Sequence, residues 1–193
     1  MFMEQAGILA ANLGQALIRR GSMFCVAESC TGGLCAAVCT ERPGSSAWFA
    51  GGAVVYSNAL KTRLLGVPEE LLKVHGAVSP PVARSMVLGA AAACGVDCAL
   101  AVSGIAGPSG GAPDKPVGTV CMALRLPVWA GKSRPPAEWA GWRLGREVSW
   151  EGGEDSGQVL FCLTRRFAGE RRQVRESIVL FALELFLELA AGR

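Results

Sequence analysis

The stretch MFCVAESCTGGLCAAVCT, residues 23–40, sets the architecture. Met23 to Ala27 is an apolar run of strand length. Glu28-Ser29-Cys30-Thr31-Gly32-Gly33 is a polar turn, and a helix-like stretch runs on to Thr40. Strand, tight polar turn, helix is the unit in which α/β proteins display functional groups.

Working outward, the same alternation continues in both directions. Upstream, Leu9, Leu13 and Leu17 recur at four-residue spacing and end at Arg19-Arg20-Gly21, which predicts an amphipathic helix with a glycine stop. Downstream, Pro43 to Ser46 is a loop. Ala47 to Tyr56 predicts a second strand, and Gly51-Gly52 inside it marks a place where the backbone must bend or approach something closely. Lys61 follows on a short helix. Ser79-Pro80-Pro81 opens a helix that runs to Gly95, with Ser79 as its expected cap. Ala99 to Val102 and Thr119 to Leu126 predict strands flanking a glycine-rich loop. A closing helix from about Glu170 sets Val174, Ile178, Phe181, Leu185 and Leu189 on one face.

Strands alternating with helices predict an α/β fold whose sheet is mainly parallel and covered on both sides. At 193 residues the chain fits one domain. Pro127 to Gln158 is rich in Pro, Gly, Trp and charge and reads as a surface insertion, with a possible hairpin arm over Trp139 to Trp150.

Composition narrows the function. With 51% hydrophobic and 18% charged residues the chain is no disordered segment. A net charge of +3 without a dense basic face argues against general nucleic-acid binding and for a small anionic ligand. The eight cysteines follow no secretory signal, and Cys35, Cys39 and Cys94 lie in apolar helix-like stretches, so free buried thiols are expected. The absence of any C-x-x-C pair and the single histidine, His75, argue against a structural zinc site. Ile178 to Ala191 is interrupted by Glu184 and Glu188, so it does not read as a membrane span. No targeting peptide is evident, and a cytoplasmic protein is expected.

Three polar turns carry the candidate chemistry: Glu28 to Gly33, Gly51 to Lys61 and Ser103 to Gly118. In an open α/β sheet such turns can converge at one strand end, where ligand crevices form. Ser29, between a strand and a helix start, would lie beside free backbone N–H groups able to hold an oxyanion. That position suits a nucleophile, and equally an N-cap. His75 sits at a probable helix end and reads as a capping or surface residue, which leaves Lys61 as the alternative base, or else an ordinary solvated lysine. A lysine desolvated beside a polar turn can lose its proton readily. Cys30 is a rival nucleophile without a histidine partner.

Seven blocks in order, AESCTGG (27–33), PGSS (43–46), GGAVVYSNALKTRLLGV (51–67), HGAVS (75–79), SGIAGP (103–108), KPVGT (115–119) and FAGERRQVR (167–175), resemble the motif set of the CinA C-terminal domain family. The resemblance covers roughly residues 5–126 and 167–190. It implies a three-layer α/β/α sandwich, usually a homo-oligomer. It also implies cofactor-free hydrolysis of the carboxamide of nicotinamide mononucleotide, a pyridine nucleotide, to nicotinate mononucleotide and ammonia. Carried over residue by residue, Ser29 would be the nucleophile, Lys61 its base and Tyr56 an auxiliary hydrogen-bonding residue. Thr31, Gly32 and Gly33 would supply oxyanion donors. Ser103, Gly104, Ala106, Gly107, Lys115, Arg171 and Arg175 would line the nucleotide pocket. Ser103 stands where the family often has threonine, and the 127–167 stretch is longer than the family's usual connection. A non-catalytic nucleotide-sensing or partner-binding module is the alternative; loss of Ser29 or Lys61 would favour it, and both are present.

Overall fold

The computed structural model describes residues 2–127, 148–153 and 158–191. The elements in chain order are α1 (Phe2–Arg19), β1 (Phe24–Glu28), α2 (Leu34–Cys39), β2 (Phe49–Val54), α3 (Asn58–Leu65), α4 (Glu69–His75) and α5 (Pro80–Cys94). They continue with β3 (Cys98–Gly104), β4 (Thr119–Pro127), β5 (Val148–Gly153), β6 (Gln158–Arg166) and α6 (Arg171–Ala191).

The described strands join one sheet in the order β2-β1-β3-β4-β6-β5. Every residue of β1 is buried, as a central strand covered on both faces requires. Phe24, Val26, Leu100, Val102, Met122 and Leu124 pack on one face against Leu13 and Leu17 of α1 and Ile178, Leu183 and Phe186 of α6. The other face is made of small residues, Cys25, Ala27, Ala99, Ala101 and Ala123, against Met86, Val87 and Ala90 of α5. Alternation of large and small side chains along each strand thus assigns the two helical layers, and the fold is a three-layer α/β/α sandwich.

The sheet is mixed rather than mainly parallel. β1 pairs in parallel with β2 and β3, whereas β3–β4, β4–β6 and β5–β6 are antiparallel. The reason lies in the connections: a parallel neighbour needs a crossover, usually helical. Residues 105–118 contain no helix, so the chain turns back beside β3.

Val148–Gly153, whose first three residues fall in the expected hairpin arm, forms the edge strand β5 and gives the outer edge of β6 a partner. The remainder of the expected surface insertion, residues 128–147 and 154–157, including most of the proposed hairpin arm, lies outside the described residues. Ser79 occupies the N-cap of α5, but its hydroxyl donates to the Gly76 carbonyl at 2.9 Å instead of capping the helix. On the closing helix Val174, Ile178, Leu185 and Leu189 are buried as expected, and Phe181 is half-buried with the Arg165 guanidinium 4.2 Å from its ring centroid.

The two glycines of β2 have distinct tasks. Gly51 takes φ +130°, a conformation that side chains rarely adopt. A methyl group on Gly52 would collide with the Val26 carbonyl oxygen of β1. Gly52→Ala should therefore lower stability by about 1–3 kcal/mol in urea unfolding, as overpacking does. Gly7→Ala, in α1, makes the contrasting case. Its methyl would stand 3.5 Å from Arg42 Nε, so relief of a helical glycine should leave stability unchanged or raise it by up to about 1 kcal/mol.

Candidate active site

Ser29 is placed by the end of β1. Its N–H donates to the Val102 carbonyl of β3 at 3.0 Å, and the chain then turns through Gly32 (φ +59°) and Gly33 (φ +94°) into α2. Lys61 comes from the neighbouring strand end. After β2, Ser57 caps α3 by accepting from the Leu60 N–H at 3.2 Å, and the first turn of that helix carries Lys61 inward.

The lysine is 1% exposed. Its Nζ reaches Ser29 Oγ at 3.2 Å, the Val55 carbonyl at 2.9 Å and the Tyr56 carbonyl at 3.2 Å. Among the described residues no carboxylate pairs with it. Burial accordingly lowers the pKa of Lys61 from the ordinary 10.5, with Cys30 acting in the opposite sense.

Around Ser29 the backbone donors divide into two groups. Gly32 N–H donates to the Ser29 carbonyl at 3.1 Å and Gly33 N–H to Glu28 Oε2 at 3.0 Å. Both are engaged, so these glycines supply the left-handed turn and not the oxyanion donors expected of them. Among the described residues, no backbone carbonyl accepts from the N–H groups of Cys30 and Thr31, and the Cys30 N–H lies against its own thiol. Backbone donors next to a buried hydroxyl are what an acyl-transfer site needs.

Cys30 is packed toward Gly104. Its side chain is buried, and a methyl group on Gly104 would lie 3.1 Å from its Sγ. Burial pushes its thiol up to about 12, with Glu28 adding to the rise. It is a packed neutral thiol.

Helix α6 ties the three polar turns together. Arg175 Nη2 donates to the Thr31 carbonyl at 2.6 Å; Arg171 Nη1 donates to the Gly107 carbonyl at 2.8 Å and its Nη2 to the Tyr56 hydroxyl at 3.3 Å. The exposed Tyr56 phenol therefore meets Arg171, while it is the Tyr56 carbonyl that holds Lys61. Ser103 and Lys115 serve a different segment: Ser103 Oγ donates to the Ala77 carbonyl at 2.7 Å and Lys115 Nζ to the His75 carbonyl at 3.0 Å. Ala106 is buried beside Gly107, and Gly104 leaves no room for a side chain against Val120. No group of three metal-ligating side chains is assembled among the described residues.

A match to the model of the CinA C-terminal domain family spans residues 7–132. A Pseudomonas putida protein named nicotinamide-nucleotide amidohydrolase PncC is 44% identical over 187 residues, covering 97% of this chain and 98% of that relative. The chain belongs to the CinA C-terminal domain family.

Other members are longer. A competence-damage inducible protein of Symbiobacterium thermophilum is 52% identical over 151 residues, and the match covers 75% of this chain but only 33% of the relative. The chain therefore spans about a third of that relative's length. Among solved structures, the competence/damage inducible protein of Agrobacterium tumefaciens superposes with a TM-score of 0.76 at 35% identity, covering 96% of this chain and 95% of that one.

Within this family framework one residue was not anticipated in a functional role. Glu28, 1% exposed, accepts three backbone N–H groups at the start of α2. The readable signal was its isolation: it is the only charged residue between Arg20 and Glu41. A charge standing alone in an apolar stretch must be satisfied by backbone or by a partner.

The raised Cys30 thiol predicts selective protection from alkylation. Treatment of the native protein with iodoacetamide at neutral pH, followed by peptide mass mapping, should leave Cys30 unmodified while the unfolded chain is labelled there. Rapid labelling of native Cys30 would show a thiolate and reopen its candidacy as nucleophile.

Proposed function

We propose that this chain is a nicotinamide-nucleotide amidase that hydrolyses the carboxamide of nicotinamide mononucleotide to nicotinate mononucleotide and ammonia, with Ser29 as nucleophile and Lys61 as base. The observation that carries the mechanism is the environment of Lys61 Nζ. The Val55 and Tyr56 carbonyls take two of its N–H bonds. In the neutral amine that leaves the lone pair for the hydroxyl of Ser29, 3.2 Å away. The substrate assignment is supported by full-length similarity to the Pseudomonas putida amidohydrolase.

The steps balance without a metal or cofactor. Lys61 takes the Ser29 proton as Oγ attacks the carboxamide carbon. The Cys30 and Thr31 N–H groups receive the developing oxyanion. Collapse of the tetrahedral intermediate expels ammonia with a proton returned from Lys61. Water then attacks the acyl-enzyme, gives its proton to the same lysine, and releases nicotinate mononucleotide with Ser29 restored. Arg171 and Arg175, which bond the Gly107 and Thr31 carbonyls, are the cations proposed to meet the substrate phosphate.

Further parts of this reading are one domain, a cytoplasmic setting and a homo-oligomer, with no nucleic-acid partner. Free thiols fit a reducing compartment: all eight cysteines are unpaired and seven of them buried. No helix among the described residues is long and apolar enough to cross a membrane. The homo-oligomer follows from the family resemblance.

Ammonia release from nicotinamide mononucleotide tests the assignment, and added EDTA should not change it. Ser29→Ala and Lys61→Arg should each reduce turnover by about 10³-fold or more, and the double variant should be little worse, because the pair acts as a unit. Lys61→Arg keeps the positive charge but cannot accept a proton. The base works neutral, so kcat/KM should rise with pH, and its ascending limb should lie below the 10.5 of an ordinary lysine. Activity lost to EDTA and restored by zinc or magnesium, or a fully active Ser29→Ala, would overturn the mechanism.

A further inference from the structure

Glu28 fastens both ends of the turn that carries Ser29. On the main-chain side, its carbonyl accepts from the Val55 N–H at 2.7 Å, and the following N–H, that of Ser29, donates to the Val102 carbonyl at 3.0 Å. On the side-chain side, Oε2 accepts from Gly33 and Cys35 at 3.0 and 3.1 Å, and Oε1 from Ala36 at 2.8 Å. The clamp is needed where it stands. Helix α2 has six residues, and its N-cap, Gly33, offers no side chain to the first-turn donors. A helix of that length does not hold itself by its own hydrogen bonds.

Between the two fastenings lie Ser29, Cys30, Thr31 and Gly32. This is the span that carries the Ser29 hydroxyl and the Cys30 and Thr31 N–H groups, which no backbone carbonyl takes up. Rotating the Gly33–Ala36 segment would turn those N–H groups without disturbing Lys61, which is held by Val55 and Tyr56.

We propose that Glu28 is a positioning residue for acyl transfer: its carboxylate, by gripping Gly33, Cys35 and Ala36, aims the Cys30 and Thr31 N–H groups at the oxyanion formed on attack by Ser29. The proposal rests on Ser29 being the nucleophile. A carboxylate is suited to the task because it only accepts, with lone pairs on both oxygens. A glutamine side chain has one accepting oxygen and one donating NH2, so part of the cluster would confront donor with donor.

The test compares Glu28→Gln and Glu28→Asp with the parent enzyme in steady-state turnover of nicotinamide mononucleotide, well below each variant's Tm. Glu28→Gln should lower kcat by about 10²-fold, the loss expected from a misplacement of about 1 Å. KM should stay unchanged, and the ascending limb of the pH profile should not move. Leu17→Val, a core change in α1, controls for lost stability and should keep the parent kcat. A Glu28→Gln enzyme with parental kcat, or one altered only in KM, would reduce Glu28 to a helix cap and overturn the proposal. If Glu28→Gln does not fold, Glu28→Asp decides, since the retained but shorter carboxylate should still cost at least tenfold in kcat, and parental kcat there overturns the proposal.

A second readout separates this proposal from the substrate assignment. Phenylmethylsulfonyl fluoride should sulfonylate Ser29 with loss of fluoride, and peptide mass mapping should find the label there. The Glu28 variants should label more slowly than the parent. A parent enzyme inert toward nicotinamide mononucleotide but labelled at Ser29, with slower labelling of Glu28→Gln, would sink the substrate assignment and support the role of Glu28. Equal labelling rates would overturn that role.

Discussion

A lysine nitrogen buried among three oxygens and no carboxylate is the constraint around which the structure is arranged. Taking an ammonium out of water is costly unless it is paired. Lys61 is instead surrounded by two carbonyls and one hydroxyl. Such a shell can satisfy the charged form by hydrogen bonds while giving it no counter-charge, so the neutral form becomes accessible. A nearby glutamate would hold the proton on the lysine and end its use as a base. The fold supplies carbonyls by stopping β2 at Val54 and letting the next residues leave the sheet, which frees the Val55 and Tyr56 carbonyls to face inward.

Placing that nitrogen beside Ser29 then depends on the sheet. β1 pairs in parallel with β2 from Phe24 to Glu28, so both chains leave the sheet at the same end, Ser29 from one and Val55 from the other. The antiparallel half of the sheet has a different task. β4 returns the chain from the glycine-rich loop, and β6 leads directly to Phe167, whose N–H donates to the Gly118 carbonyl at 2.9 Å. That contact starts α6 next to the loop, within reach of Gly107 for Arg171 and of Thr31 for Arg175. A fully parallel sheet would have required a further helix between β3 and β4 where the glycine-rich loop now stands.

The legible and illegible parts of the sequence divide along physical lines. The strand, turn and helix of residues 23–40 were readable because apolar periodicity and glycine position report local conformation directly. Ser29 and Lys61 were readable as candidates because a hydroxyl and an amine carry their chemistry in the side chain. The Val55 and Tyr56 carbonyls carry none, since any residue would offer the same acceptor; the side chain of Tyr56 advertises a phenol, which bonds Arg171 instead. Strand direction was hidden for a related reason. A strand buried on both faces looks alike whichever way it runs, and the clue lay in the helix-free connection of residues 105–118. β5 is legible only in part: the hairpin arm expected over Trp139 to Trp150 overlaps its first three residues, while turn signals from Pro and Gly hide its pairing with β6.

Glu28 shows how the buried charge at one end of the site and the buried base at the other differ in kind. Both are almost fully buried, yet their partners set opposite behaviours. The carboxylate receives three N–H groups whose positions are fixed by a helix start, so it is a rigid acceptor in a site made of donors. The lysine faces carbonyl and hydroxyl oxygens, one of which has a proton to give. The first arrangement resists change and suits a brace; the second is open to proton exchange and suits a base. Charge placed at a strand end can serve either purpose, and the hydrogen-bonding shell decides which. In this sheet Glu28 stands immediately before Ser29 in the chain and Lys61 reaches it from the next strand end, so in the proposed mechanism the hydroxyl is fixed from one side and activated from the other.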